Sequence, residues 1–581
     1  MRNIRLFFLL FCLIASVATA RPSSEPRPVS PSELVLELSP QAEGDVVKTL
    51  GVRIRLNKVL IASGDTVVQL PLMDDNVDTA AEAIDGIEAT DAHGTVQLSA
   101  HTSTMASGDE QKEVRVWTAS RALSGALTLR YRVPATAIRP PRGPAEPISF
   151  RNDDHAFSGA SSIFLVLPPA QQSYALTISW DLSHLPPPAL GISSLGNGTA
   201  TLKRITSDEL GHMFFMAGKV GRWPQVARTD GFSANWQGQP PFDAAELSAW
   251  VGRLHQQFQA LFPQPDSHPY TIFLRYNPIN AGGGVALYQS FVVTYGAGQG
   301  ADPNRLKITL SHEMFHTYQP HLAESASEPV TWFTEGLAMF AEARLPLRFG
   351  MITPEQFLQD LNRIAGRYYT NALRTMSNAE AAGGFWKDTR IRMLAYDRGM
   401  LYLATVDDAV RKRSGGKRSL DDLERALLKI NARGATPTQA DWETLLAHEL
   451  GASGVADFHA FLAGTPPLPA SDAFGPCFRR TSKPLREYVL GFEPAVLAES
   501  KRIVRGLVEG SAAALAGVRN GDEIVLPVPQ DDIQGNQTQH LHLRLRRDGR
   551  QFDVDYLPRG KTMDAWQWER VDGVADDRCA L

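Results

Sequence analysis

Beyond its first twenty residues, the sequence has no apolar run long enough to cross a bilayer and no excess of positive charge. A membrane-spanning helix needs about 20 apolar residues, so we expect no membrane span and a soluble mature protein. The formal net charge is −5, and it falls to −7 when Arg2 and Arg5 are removed. This balance argues against nucleic acid or an anionic membrane as the main partner.

The first twenty residues have the pattern of a secretory signal peptide. Arg2 and Arg5 give a positive start, Leu6–Val17 is a short apolar run, and Ala18-Thr19-Ala20 supplies small residues before a cleavage site. We therefore expect residues 1–20 to be removed by a cut after Ala20. The mature protein would then be secreted or periplasmic.

Cysteine is scarce. Cys12 lies in the expected signal peptide, which leaves Cys477 and Cys579 in the mature chain. An exported protein with two cysteines favours one disulfide between them. Two separate thiols are the alternative, since the sequence does not give the distance between the two Cα atoms.

The pattern predicts a multidomain mixture of α and β structure, beginning with a β-rich unit over residues 33–225. Short β-runs there alternate with Gly, Pro and Asn turns, which is typical of a β-sandwich. The clearest runs are Val114–Trp117, Leu127–Tyr131, Ile163–Leu167 and Ala175–Trp180.

Residues 226–468 form a second unit that becomes mainly helical. Asp243 opens a helical apolar pattern that continues to Phe262. Two predicted strands, Tyr270–Tyr276 and Phe291–Tyr295, follow it, and Ser419 is the expected N-cap of a later helix. After a proline-rich linker, a third unit spans residues 480–562.

The segment Ser311-His312-Glu313-Met314-Phe315-His316 carries the candidate chemistry. Residues four apart share one face of a helix, so His312 and His316 can offer two imidazoles to one metal ion. Glu313 then lies on the open side of that metal. The spacing alone is weak evidence, because His448-Glu449 begins in the same way and is followed by Ala452 at the position of the second histidine.

Glu335 supplies the third candidate ligand. It follows His316 in the segment Trp332-Phe333-Thr334-Glu335-Gly336, which reads as a helix with an inward carboxylate. Two imidazoles, one carboxylate and an open position match a single catalytic Zn²⁺. In such a site Glu313 would accept a proton from the attacking water.

The zinc motif, the spacing to Glu335 and the segment around it resemble the gluzincin peptidases. Within them the chain is most similar to the M61 family, the glycyl aminopeptidase family, because Tyr396-Asp397-Arg398-Gly399 resembles that family's Tyr-x-Lys-Gly helix. The resemblance implies a thermolysin-like α+β catalytic domain at 226–468 and a PDZ domain at 480–562. It also implies that the Tyr396 hydroxyl hydrogen-bonds the tetrahedral intermediate.

Two departures from the family pattern concern substrate and metal binding. Family members carry Gly-Gly-Leu-Glu-His on the strand facing the substrate, whereas here Gly282-Gly283-Gly284 is followed by no carboxylate. Gly283 and Gly284 are thus implied in substrate binding, but an anchor for the substrate amine is missing or comes from elsewhere. The Asn that tends to follow the second His is replaced by Gln319.

The C-terminal unit resembles a bacterial-type PDZ domain through Arg505–Ala513 and Ala516–Ile524. Such domains bind a chain terminus as an added strand. Leu490-Gly491-Phe492 is either the carboxylate-binding loop or an ordinary turn into a strand.

The expected function is zinc-dependent hydrolysis of small or unfolded peptides, with an aminopeptidase preference for small N-terminal residues implied by the family. A zinc endopeptidase or dipeptidase is the alternative that the missing amine anchor favours. Outside the enzyme class, the alternative is a PDZ-containing binding protein with a vestigial catalytic site.

Overall fold

A computed structural model describes residues 32–107, 110–135, 145–153, 155–169, 172–226, 228, 231–263, 269–278, 281–324, 329–528 and 530–579. The expected signal peptide, residues 1–20, lies outside the described residues. None of the described helices is both long and apolar enough to cross a membrane.

The N-terminal unit is built almost entirely from strands. Its elements are β1 Ser32–Glu43, β2 Val46–Ile61, β3 Thr66–Pro71, β4 Met73–Asp74, β5 Val77–Asp78, β6 Glu88–Asp91, β7 Gly94–Val96, β8 Leu98–Ser107, β9 Glu110–Ala119, β10 Leu123–Pro134, β11 Arg151–Asp153, β12 Ala156–Ala160, α1 Ser161–Phe164, β13 Ser173–Trp180, β14 Leu190–Ser193, β15 Gly196–Asn197, β16 Ala200–Thr206, α2 Ser207–Gly211 and β17 Phe214–Gly218.

These strands form sheets that enclose one hydrophobic core. The largest sheet has the order β16-β13-β1-β2-β10-β6-β7, and a second has the order β11-β12-β17-β14-β15. In β1, Leu34, Leu36 and Leu38 are buried while the residues between them are more exposed, as the period of a strand requires.

Three of the four predicted strands are confirmed, and one prediction is wrong. Val114–Trp117, Leu127–Tyr131 and Ala175–Trp180 lie in β9, β10 and β13. The run Ile163–Leu167 instead begins inside the short helix α1 and continues as irregular chain. Nearly every side chain of this run is buried, and a continuous apolar run does not distinguish a strand from a buried helical turn.

The middle unit combines one sheet with a helical layer. Its elements are β18 Val220–Trp223, β19 Phe232–Gln237, α3 Ala244–Leu261, β20 Tyr270–Tyr276, β21 Gly284–Leu287, β22 Ser290–Tyr295, α4 Pro303–Tyr318, α5 Thr331–Arg348, α6 Pro354–Tyr369, α7 Asn378–Ala382, α8 Thr389–Met393, α9 Gly399–Ser414, α10 Leu420–Asn431, α11 Gln439–Leu450 and α12 Ala452–Leu462. A π-helical turn, Leu394–Arg398, joins α8 to α9.

The sheet of the middle unit has the order β18-β19-β20-β22-β21, so β21 is its edge strand. The predicted strands at β20 and β22 are confirmed. So is the predicted start of α3, where the Asp243 side chain accepts a hydrogen bond from the Glu246 amide. One face of the sheet packs on the N-terminal unit, with the rings of Phe214 and Phe273 4.8 Å apart between their centroids.

The C-terminal segment returns to the middle unit at both of its ends. Its elements are β23 Phe478–Tyr488, α13 Ala512–Leu515, β24 Glu523–Ile524, α14 Gln530–Gly535, β25 Leu541–Arg547, β26 Arg550–Tyr556 and β27 Arg559–Arg570. Strands β23 and β27 pair antiparallel. Cys477 and Cys579 flank this pair and form a disulfide with a Cα separation of 5.1 Å.

The paired strands β23 and β27 pack on the helical layer. Phe478 and Trp568 belong to the same hydrophobic cluster as the helices of the middle unit, and the Trp568 amide donates to the Asn362 side chain of α6 over 2.7 Å. The chain from Tyr488 to Tyr556 has a small hydrophobic core of its own. The predicted domain boundaries and the PDZ assignment stay predictions.

Glu424 of α10 is a buried acid in the helical layer. It is 1 % exposed, and neither carboxyl oxygen has a hydrogen-bond partner among the described residues. Burial, together with the neighbouring Asp421, raises the pKa of Glu424 to about 8. The folded protein therefore keeps this carboxyl protonated at neutral pH.

Replacing Glu424 with Gln should flatten the pH dependence of stability. Between the ordinary pKa of 4.5 and the folded value of about 8, the unfolded chain releases a proton that the folded chain retains. The free energy of unfolding then falls as the pH rises. Urea unfolding across this range measures the effect, with the exposed Glu355→Gln as control. If the free energy of unfolding falls with pH as steeply in Glu424→Gln as in the unaltered protein, the raised pKa of Glu424 is contradicted.

Candidate metal centre

Helix α4 places both candidate histidines on one buried face. The helix begins at Pro303, where the preceding Asp302 side chain accepts a hydrogen bond from the Asn304 amide. His312 and His316 follow at a spacing of four residues, and their Nε2 atoms lie 3.2 Å apart. The two rings therefore point their outer nitrogens at one common position.

Glu335 completes the cluster from the neighbouring helix α5. Its Oε2 lies 3.3 Å from His312 Nε2 and 3.6 Å from His316 Nε2. Ligand atoms about 2.0 Å from a tetrahedral zinc ion lie about 3.3 Å from one another. The three side chains form a group that could hold a metal ion, and their donor set and spacing fit zinc.

Two glycines let Glu335 approach the rest of the site. A Cβ added at Gly336 would lie 2.7 Å from the backbone of Gly399, and one added at Gly399 would lie 2.3 Å from the Trp332 carbonyl oxygen. Helix α5 and the start of α9 therefore touch backbone to backbone. This contact brings Glu335 close to the π-helical turn that carries Tyr396.

Each histidine is held from behind by a second polar side chain. His312 Nδ1 lies 2.8 Å from Glu342 Oε2, and His316 Nδ1 lies 2.8 Å from the Gln319 amide nitrogen. Gln319 Oε1 is buried without a partner among the described residues. If the two ends of this amide are exchanged, Oε1 accepts a hydrogen bond from His316 Nδ1–H, and His316 Nε2 stays free for a metal.

Glu313 lies beside the cluster and against the edge strand β21. A Cβ added at Gly284 would lie 2.6 Å from the Glu313 Cγ, so only glycine permits this approach. The Ala286 amide donates to the Glu313 carboxylate, and burial raises the pKa of Glu313 to about 8. The neighbouring Gly283 carbonyl is held by the Thr294 amide over 2.9 Å.

Tyr396 is also part of the site. Its ring stacks on that of His312, with centroids 6.2 Å apart and planes 16° from parallel. Burial and the nearby Glu335 raise the pKa of Tyr396 well above its usual value. The hydroxyl is therefore a hydrogen-bond donor at neutral pH.

The site opens into a cavity of about 260 Å³ that contains residues the sequence did not single out. Glu146 of the N-terminal unit lines this cavity, and so do Arg392 and Asp531. Burial and nearby acids, Asp75 first and then Glu313, raise the pKa of Glu146 well above its usual value. No motif surrounds Glu146 in the sequence, so only the fold brings it here.

Within the part of the chain that the structure describes, every predicted site residue lies at this cavity or next to it. Gly283, Gly284, His312 and Tyr396 line it. The Glu313 side chain lies against Gly284, and the Glu335 carboxylate lies beside His312. The second fragment that began like the zinc motif, at His448, is exposed and pairs with Glu449.

Comparison with known proteins identifies the fold but not a family. No family model matches the chain, and a search of the curated proteins finds no match. Among solved structures, the chain is similar to an aminopeptidase N family protein from Idiomarina loihiensis, with a TM-score of 0.62 and 14 % identity over 92 % of this chain and 98 % of the other. At this identity the likeness shows a shared multidomain α/β fold.

Two further structures overlap more loosely. An M1 zinc metallopeptidase from Deinococcus radiodurans aligns with a TM-score of 0.43 and 16 % identity, over 76 % of this chain and 96 % of the other. Leukotriene A4 hydrolase from Saccharomyces cerevisiae aligns with a TM-score of 0.45 and 14 % identity, over 77 % of this chain and 72 % of the other.

Replacing Glu342 with Gln should weaken zinc binding at the candidate centre by about 10- to 100-fold, because His312 loses the carboxylate that orients its ring. Competition with a chromophoric chelator measures the affinity. The exposed Glu324→Gln is the matched control and should bind zinc as the unaltered protein does. Equal affinities for all three proteins would mean that Glu342 does not support a metal ligand.

Proposed function

We propose that the chain is a secreted, zinc-dependent aminopeptidase of the M61 type that acts on small or unfolded peptides. The convergence of His312 Nε2, His316 Nε2 and Glu335 Oε2 within 3.6 Å carries this proposal. The fold shared with an aminopeptidase N family protein supports it. The signal-peptide pattern of residues 1–20 supports export to the periplasm or beyond.

The roles of the protein side chains follow from where they lie. A bound zinc ion would acidify a water molecule and polarise the scissile carbonyl. Glu313, whose pKa burial raises to about 8, would be held in its carboxylate form by the positive charge of a bound ion. It then accepts the proton of the attacking water and returns it to the leaving amine. Tyr396 donates a hydrogen bond to the oxyanion that develops at the carbonyl. Its ring position beside His312 supports this role.

The edge strand β21 offers a place for the substrate backbone. It pairs on one side with β22, and its first residue, Gly284, adjoins Glu313. A peptide lying along the other side would have its scissile carbonyl near the candidate metal. Gly283 and Gly284 would then form the substrate-binding edge, since neither has a side chain to obstruct it.

Glu146 is our candidate for the missing amine anchor. It lines the same cavity as His312, Gly284 and Tyr396, and it interacts electrostatically with Glu313 and Glu335. A cavity surrounded by so many carboxylates attracts a cation. The free amine of a peptide is such a cation, and binding it there favours cleavage at the N-terminus.

The C-terminal unit is proposed to be a PDZ domain that binds chain termini. Its small core, its strands β24, β25 and β26, and the helix α13 capped by Ser511 support this assignment. Gly491 of the candidate binding loop has a φ of +91°, a conformation that favours glycine.

Replacing Glu313 with Gln should abolish peptide hydrolysis while one zinc ion per chain stays bound, because the amide cannot accept the proton of the water. Cleavage of a peptide library and metal analysis of the same sample measure the two properties. Full activity in Glu313→Gln would contradict the mechanism. Absence of zinc from the unaltered protein would favour the alternative of a binding protein.

Replacing Glu146 with Gln should lower kcat/KM for peptides with a free amine by about 10- to 100-fold, the loss expected for a hydrogen bond to a charged group. Activity on the N-acetylated peptide should be low and unaffected. The exposed Glu82→Gln in the same unit is the control. Equal cleavage of free and acetylated peptides by the unaltered protein would instead identify an endopeptidase.

A further inference from the structure

Helix α14 of the C-terminal unit packs on the helices that form the wall of the active-site cavity. Arg367 of α6 donates to the Asp531 carbonyl over 3.3 Å. The Thr389 hydroxyl oxygen of α8 lies 3.3 Å from the Gln534 side-chain oxygen. A Cβ added at Gly535 would lie 3.3 Å from Arg363, so the end of α14 also lies against α6.

Asp531 is the residue through which α14 reaches the cavity. Its carboxylate pairs with Arg392 of α8 and accepts a hydrogen bond from the Thr389 hydroxyl. The Arg392 and Asp531 side chains are 14 % and 31 % exposed. Both line the cavity that contains His312 and Tyr396.

Arg392 is held in this wall by aromatic rings as well as by Asp531. Its guanidinium carbon lies 5.9 Å from the ring centroids of Phe385, Trp386 and Tyr396, within the range of cation–π attraction. It also interacts electrostatically with Glu146 and Glu335. Its charge therefore faces the space where a substrate would lie.

We propose that Arg392 and Asp531 are a specificity-determining pair through which the C-terminal unit sets the charge of the substrate cavity. This inference rests on the proposed peptidase function. While paired, the two side chains present a nearly neutral wall, which suits peptides whose side chains are uncharged at this position. Without Asp531, the exposed guanidinium attracts an acidic side chain, and without Arg392 the carboxylate attracts a basic one.

Substrate selectivity in single and double variants tests the proposal. Peptides that differ only by Glu, Gln or Lys, at the first or the second residue, are compared by kcat/KM. The Glu-to-Gln ratio is kcat/KM for the Glu peptide divided by kcat/KM for the Gln peptide. We expect Asp531→Asn to raise this ratio about tenfold at one of the two positions. Arg392→Gln should lower that ratio and raise the Lys-to-Gln ratio. The double variant should return close to the unaltered selectivity.

Asp553→Asn is the matched control, since Asp553 pairs with Arg544 in the same unit but on an exposed surface. Unchanged ratios in both single variants, changes of the same sign in both, or an equal change in the control would overturn the proposal. Thermal unfolding of the unaltered protein, the two single variants and the double variant shows whether Arg392 and Asp531 interact. If the two substitutions are coupled in stability but selectivity does not change, the pair exists and has no role in specificity. If the unaltered protein has no peptidase activity, the proposed function fails as well.

Discussion

The contact between α4 and α5 brings two imidazoles and a carboxylate within 3.6 Å of one another, and the rest of the cavity is arranged around it. The contact depends on the buried faces of both helices. On another side of α5, Gly336 lets this helix approach α9 closely. It also concentrates acids in a buried region, which is costly unless they are paired or bind a metal. The carboxylates of Glu313, Glu335 and Glu342 all lie there. A divalent cation at the cluster would offset much of this cost.

All three parts of the chain contribute to the cavity. The middle unit supplies the metal cluster, Glu313 and the edge strand β21, while Glu146 comes from the N-terminal unit and Asp531 from α14. Arg275 of β20 is fully buried and donates to the Ser149 carbonyl. This contact joins the middle sheet to the N-terminal unit close to Glu146 in sequence. Strands β23 and β27, with the disulfide between Cys477 and Cys579, fix the base of the C-terminal unit on the helical layer.

The sequence predicted the parts of the site that depend on local spacing. Two histidines four residues apart must share a helical face, and the aromatic segment around Glu335 indicated a helix with an inward carboxylate. Glu146 could not be found in this way, because no local pattern separates it from an ordinary loop carboxylate. The same holds for Asp531, whose role depends on how α14 packs against α6 and α8.

Gln319 and Ile163–Leu167 illustrate two further limits of sequence reasoning. Gln319 was a departure from a family pattern, yet its amide contacts His316, and only the fold reveals that contact. Residues 163–167 have the composition of a strand, but tertiary packing buries them in and after a helical turn. Local preference is overridden where nearly every side chain is buried.

The most direct test of the central claim is anomalous diffraction at the zinc absorption edge from crystals of the zinc-loaded protein. The account predicts one strong peak about 2.0–2.2 Å from His312 Nε2, His316 Nε2 and a Glu335 carboxyl oxygen. A fully loaded crystal with its zinc bound elsewhere, or with a fourth protein ligand closing the site, would contradict it.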